Sequence, residues 1–208
     1  MRRQQRKLIL HYATTLEKLY CLSNSQVWAK LLLGKDKKYN QFLEDMCRNE
    51  FFKNEEKVSV KKIATDLGFN YAHITKWIAQ IYEDIFELNS EEPELFQTPG
   101  IKHDCYFKYY DSYAYFTLWL PQIPKEFEEF DFHFVKAKVG INRFWVKNVT
   151  HYVVNGEYSV DLELIGGNLN KYREHLLDKA LFENVLNIFT MYDQTEWEID
   201  EILKRHYR

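Results

Sequence analysis

The chain has few cysteines, no long apolar run and none of the short motifs that mark common catalytic chemistry. Its 208 residues hold three cysteines, Cys21, Cys47 and Cys105. They are odd in number, widely spaced and form no C-x-x-C pair. That excludes a disulfide scaffold or a zinc finger and is the pattern of reduced thiols in a cytoplasmic protein. No apolar stretch approaches the roughly 20 residues that cross a bilayer, so no membrane partner is expected. The opening MRRQQRKLILHYATTLEKLY is basic, but charges and Tyr12 interrupt it early and no small-residue cleavage site follows. It reads as an amphipathic helix and not as a signal peptide. The seven histidines show neither an H-x-x-x-H nor an H-E-x-x-H spacing, so no metal site is expected. No G-x-S-x-G or P-loop occurs. Gly166-Gly167 lacks the lysine of a phosphate loop and reads as a strand-to-helix turn capped by Asn168. No cofactor and no enzyme activity are expected. Two weaker groupings remain: His133 and His151 both fall on expected strands, and Asp161 and Glu163 share one strand face. Paired carboxylates can do acid–base work, but a solvated strand face accounts for these two.

Apolar residues make up 46% and aromatics 17%, enough for a sizeable core. The net charge of −3 argues against nucleic acid at face value. Its distribution does not. Residues 1–90 carry 15 Lys+Arg against 11 Asp+Glu, leaving 13 against 20 of the chain's 28 and 31 for residues 91–208. Up to Tyr82 the balance is 15 against 8. The basic excess lies in the N-terminal half, and a domain-level basic excess is one footprint of nucleic-acid binding.

The hydrophobic period divides the chain. Residues 1–88 read as helical: Leu8, Tyr12, Leu16, Leu19 and Tyr20 form one stripe, Val27, Trp28, Leu31 and Leu32 a second, and Phe42, Leu43, Met46, Cys47 and Phe51 a third. KNEEK at 53–57 reads as a loop. Residues 89–101 (NSEEPELFQTPGI) hold two of the four prolines and read as a linker. From 102 to 165 the period changes to 2, with strands expected at 103–110, 113–120, 130–139, 143–154 and 157–165. Asn155-Gly156 is a type I′ hairpin signal, since both residues accept a positive φ. Short turns between successive strands predict an antiparallel meander. Residues 168–208 return to helix, and Thr195 with Glu198 fits a capping box. The expected architecture is α+β: a helical domain (1–88), a linker (89–101) and a five-stranded antiparallel meander packed by two C-terminal helices (102–208). Tyr106, Phe107, Tyr109, Tyr110, Tyr113, Tyr115, Phe116 and Trp119 are too crowded to face one core. Cross-strand pairing is the leading reading for them, ahead of a dimer surface or a base-stacking platform.

The segment that points to a function is VKKIATDLGFNYAHITKWIA, residues 60–79. Ile63, Leu67, Phe69, Ile74, Trp77 and Ile78 supply an apolar face. Ala64 allows two helices to cross closely, and Gly68 sits where the chain must turn. Ser59 and Asn70 are the expected N-caps. The pattern resembles the helix-turn-helix of bacterial DNA-binding regulators over about a tenth of the chain. That resemblance implies that the start of the second helix reads double-stranded DNA through Asn70, Tyr71, Ala72, His73, Thr75 and Lys76. Lys61 and Lys62, joined by Arg2, Arg3, Arg6 and Lys7, would meet phosphate. It implies a transcriptional regulator that acts as a homodimer, with the sheet serving for dimerisation or for sensing an effector of unknown identity. A mobile-element replication or partition protein would use the same module. The reading from a different class is a protein-interaction adaptor whose helical bundle meets no DNA.

Overall fold

In a computed structural model, residues 8–48 and 59–207 are described. The expected loop at 53–57, Phe51 and the four basic residues Arg2, Arg3, Arg6 and Lys7 lie outside them. The chain divides into two compact units: His11–Gly167, and Met1–Leu10 with Asn168–Arg208.

The first unit begins with α1 (Thr15–Ser23), α2 (Gln26–Lys30) and α3 (Asn40–Arg48). The helix expected over the first 20 residues starts only at α1. Thr14 caps it, accepting from the Glu17 amide while the Glu17 carboxylate reaches back to the Thr14 amide. This reciprocal box fixes the start, and residues 8–14 are not helical. Then come α4 (Val60–Asp66) and the long α5 (Tyr71–Glu91), whose Ile74, Ile78, Ile81, Tyr82, Ile85 and Leu88 are buried. A 3-10 turn, Pro93–Phe96, follows. It lies in the segment expected as a linker, and its Phe96 is buried against Trp28 and Phe116.

The strands are β1 (Ile101–Tyr109), β2 (Ser112–Leu120), β3 (Glu129–Asp131), β4 (Arg143–Val154) and β5 (Glu157–Gly166). Four expected ranges agree to within two residues. The fifth, 130–139, does not: only β3 is strand, and Lys136–Val139 forms a helical turn, α6, closed by left-handed Gly140. Phe132 and Phe134 mimic strand alternation because both pack inward, on Phe107 and Trp28 respectively. Asn155 and Gly156 turn β4 into β5 with φ of 53° and 84°, the two positive values that a type I′ turn needs.

The sheet is mixed and is not an antiparallel meander. Its order is β2-β1-β5-β4-β3, and β1 runs parallel to β5. The β1–β2 hairpin and the β3–β4–β5 run are each antiparallel, but the chain crosses over after β2 and places β5 at the centre. One face carries Cys105, Phe107, Ala114, Phe116, Val146, Leu162 and Leu164, all buried in one cluster with residues of α1 to α5. These N-terminal helices therefore share the sheet's core.

Two polar contacts lock α5 into place. Buried Asn89 donates from Nδ2 to the Thr117 carbonyl (3.0 Å) and accepts the Thr117 amide on Oδ1 (2.7 Å). Its amide thus does for edge strand β2 what a neighbouring strand would do. Tyr82 donates its buried hydroxyl to the Phe134 carbonyl at 2.7 Å.

In the second unit the expected two helices are three: α7 (Lys171–Phe182), α8 (Ile188–Asp193) and α9 (Glu196–His206). Asn184 takes a left-handed φ of 58°, and Val185 N–H bonds the Ala180 carbonyl at 2.9 Å. That closure ends α7 where the apolar pattern had run on. Asn170, not Asn168, caps α7. The Thr195–Glu198 capping box forms as expected. Leu177, Ala180, Leu186, Ile199 and Leu203 make this unit's own small core, and Arg173 ties Glu174, Glu196 and Asp200 together.

Substituting Asn89→Ala leaves the Thr117 amide and carbonyl without their partner. Urea unfolding should show a loss of about 1–3 kcal/mol. Glu83→Gln should behave differently with pH. Burial raises the Glu83 carboxyl, but Lys138 (2.8 Å) and Lys18 (3.3 Å) outweigh it and hold the group below the usual range. A depressed folded pKa gives stability that is present at neutral pH and is lost as pH falls through that pKa. The Gln variant should therefore melt lower at pH 7 and match the parent at acid pH.

Candidate functional site

The turn between α4 and α5 is built from a few local contacts. Gly68 has φ of 73°. Its amide bonds the Thr65 carbonyl at 3.2 Å, and the Phe69 amide bonds the Ala64 carbonyl at 2.9 Å. This double closure is the Schellman pattern, and it uses the left-handed conformation that glycine adopts at no steric cost. Phe69 then plugs inward against Phe42 and Trp77. Asn70 starts α5, its Oδ1 accepting from the Ala72 amide at 2.8 Å. Ser59 is the N-cap residue of α4 but makes no side-chain cap bond.

The expected reading residues fall as follows. Tyr71 is 52% exposed, and Asn70, Ala72, His73 and Lys76 are also exposed, as are Lys61 and Lys62 on α4. Thr75 is half-buried, and its hydroxyl is spent on the Tyr71 carbonyl at 3.0 Å. His73 lies against Trp77, ring centroids 5.6 Å apart. Asn70 is committed to capping, so using Oδ1 to read adenine would compete with the cap. From 59 to 82 the charged residues are Lys61, Lys62 and Lys76 against Asp66. The next carboxylate, Glu83, is held by Lys18 and Lys138. No acidic residue sits in the first turn of α5, so the partial positive charge of that helix end is not offset from within its own first turn.

A second surface lies on the sheet face opposite the core. Strand register puts Thr117, Asp104, Asp161 and Thr150 in one row, and Tyr115, Tyr106, Glu163 and Asn148 in the next. These residues line a shallow concavity of about 470 Å³. Tyr106 and Tyr115 lie 4.8 Å apart between ring centroids, and Tyr113 and Tyr115 are 57% and 66% exposed. Thr117 donates its hydroxyl to Asp104 at 2.7 Å. A bulge after Val146 leaves Lys147 outside the β4–β5 register, with Nζ 3.6 Å from Glu163. Burial and neighbouring Asp104 together raise the Asp161 carboxyl above its usual range, against a lowering hydrogen bond from Tyr152.

The Asp161–Glu163 grouping therefore lies in a concavity, joined by Asp104. The histidines do not join it. His103 and His151 belong to the row of Val160, on the other face. His103 is buried, with Nδ1 2.7 Å from the Ile101 carbonyl, and burial lowers its pKa. His133 is not on a strand but in the segment before α6, against Tyr20 and with Nε2 3.8 Å from Asp131. Three carboxylates also oppose a base-stacking role for this face, because they repel phosphate. Strand alternation alone places Asp104 with Tyr106, and Asp161 with Glu163. It does not say which strands are neighbours, so the partnership of Asp104 with Asp161 was beyond sequence reasoning.

No group of three or more His, Cys, Asp or Glu among the described residues is placed to hold a metal ion, and no helix there is long and apolar enough to cross a membrane. No family model, curated protein or solved structure matches the chain. The functional reading therefore rests on its own residues.

Gly68→Ala places a Cβ in open space but at positive φ. The expected cost is about 1–2 kcal/mol, read by thermal unfolding. Asp161→Asn should act in the opposite sense. The folded carboxyl is raised, so the native state holds its proton to higher pH than the unfolded chain does. Stability is then lost as pH rises through that interval. The Asn variant should melt higher than the parent at neutral pH and equal to it at acid pH.

Proposed function

We propose that this chain binds double-stranded DNA in a sequence-specific manner and acts as a transcriptional regulator. The start of α5 enters the major groove, and α4 lies across the backbone. The observation that carries the reading is the outward set at the turn: Tyr71, Ala72, His73 and Lys76 stand exposed on a helix whose opposite side, Ile74 and Ile78, is fixed in the core. Lys76 meets guanine or phosphate, Ala72 admits a thymine methyl, and Tyr71 donates to phosphate. Lys61 and Lys62 add backbone contacts. The amide-rich helix end favours phosphate as well. One such helix reads few base pairs, so the working form is a homodimer spanning half-sites about one helical turn (~34 Å) apart. A replication or partition protein of a mobile element would use this surface in the same way.

Fluorescence anisotropy with duplex DNA tests the proposal. Binding to random duplex should weaken steeply with salt. Each of Lys61→Ala, Lys62→Ala and Lys76→Ala should lower the slope of log K against log salt by about 0.9, if the lysine meets a phosphate. Tyr71→Ala and Lys76→Ala should weaken binding to a selected site while unfolding curves stay unchanged. Absence of binding at low salt would leave the helical part as a protein-interaction module and end the DNA reading.

A further inference from the structure

We propose that the free edge of β4 pairs with the same edge of a second copy of this chain, antiparallel and about a two-fold axis at His151. The inference stands on the sheet alone: it names a surface of self-association and needs no DNA.

The two edges of the sheet are treated unequally. On edge strand β2, Asn89 takes both backbone groups of Thr117, and the Thr98 hydroxyl donates to the Trp119 carbonyl at 3.1 Å. On the other side β3 covers only Arg143–Trp145 of the 12-residue β4. The Glu128 carbonyl and Phe127 amide then meet the amide and carbonyl of Val146. Among the described residues no backbone bond reaches that edge of β4 beyond Val146. Val154 pairs with Glu157 around the Asn155-Gly156 turn, so the backbone of Val154 faces β5. Backbone direction alternates along a strand. Val149, His151 and Val153 therefore turn their amides and carbonyls outward, a template for another strand.

The sequence suits a copy of itself as that strand. Centred on His151, the pairing sets Val149 against Val153 and Thr150 against Tyr152, and the same pairs repeat across the axis. Residues of these types are the ones that pair well on a pleated surface. Charged residues make up 28% of the chain, yet residues 148–156 hold none. Self-pairing therefore sets no like charges against one another. The nearest charge on β4, Lys147, lies at the bulge and reaches to Glu163 at 3.6 Å. The length fits as well. The Val146 contacts bound the free edge at one end and the turn bounds it at the other, with His151 near the middle. Three facing pairs exchange about six backbone bonds, two each, within the range of a specific interface. Val153, 73% exposed, comes to lie beside the copy's Val149, which already packs on the core.

Sedimentation velocity of the full chain over a concentration series tests the pairing. The parent should show a reversible monomer–dimer equilibrium. His151→Lys and His151→Glu should each weaken it by about tenfold or more, because two like charges then meet at the axis. An equimolar mixture of these two variants should associate again, since Lys then faces Glu. Val153→Pro removes an outward amide that bonds nothing on β5, and should also weaken the dimer. Phe189→Lys, at an exposed apolar residue of the second unit, should leave it unchanged. Thermal unfolding confirms that each variant is folded, and Val153→Lys replaces Val153→Pro if the latter is not. A parent that stays monomeric at every concentration would overturn self-pairing and leave the edge to an extended segment of another protein. A dimer that survives both folded His151 variants, a mixture that fails to restore association, or a dimer broken by Phe189→Lys would each overturn it too.

Discussion

The pairing of the Asn89 amide with both backbone groups of Thr117 ties the helical part of the first unit to its sheet. An edge strand leaves a row of unpaired amides and carbonyls, and a buried one must have them satisfied. Here the last turns of α5 supply the partner. The same helix begins at the Gly68 turn, so one rigid element of 21 residues runs from the exposed lysines to the edge of β2. Because Asn89 fixes the far end of α5 to the sheet, and Tyr82 fixes its middle to the Phe134 carbonyl, the near end projects from a built base. A helix anchored in this way holds its exposed side chains in fixed register.

The sheet is divided by the same logic. Its inner face is aromatic and dry, with Phe107, Phe116 and Phe144 buried. Trp28, Phe132 and Phe134 meet Phe116 at centroid distances of 5.0 to 5.5 Å. Its outer face is aromatic as well, but wet and acidic. Tyrosine suits such a face because its ring packs while its hydroxyl stays hydrated or bonds a carboxylate, as Tyr152 does with Asp161. The crowding of aromatics between 106 and 119 thus has two causes. Phe107 and Phe116 serve the core, with Tyr109 packed against it, and Tyr106, Tyr113 and Tyr115 serve the opposite side.

What sequence reading could recover follows the range of the interactions involved. The turn at Gly68, the Asn70 cap, the Thr195–Glu198 box and the Asn155-Gly156 hairpin each depend on residues within a few positions of one another, and each is present. The β2–β1–β5 neighbourhood depends on residues about 60 positions apart and left no local trace. Alternation assigns a residue to a face; it cannot assign that face a neighbour. The segment 130–139 misled for a related reason: Phe130, Phe132 and Phe134 alternate as a strand would, yet only β3 finds a partner strand. Thr14 with Glu17 was legible as a capping box and would have placed the start of α1. Lys147 is different. Its reach to Glu163 depends on a bulge that nothing in the string KNVTHY announces.

The overall charge of −3 conceals two surfaces of opposite sign. Lysines dominate the α4–α5 turn, and Asp104, Asp161 and Glu163 share the centre of the open sheet face, where only Glu163 has a lysine against it among the described residues. Averaging them makes the protein look indifferent to polyanions, but a ligand feels the local field and not the sum, because screening at physiological salt confines each surface to about 8 Å. The field at the turn favours anions, and the field at the open sheet face opposes them.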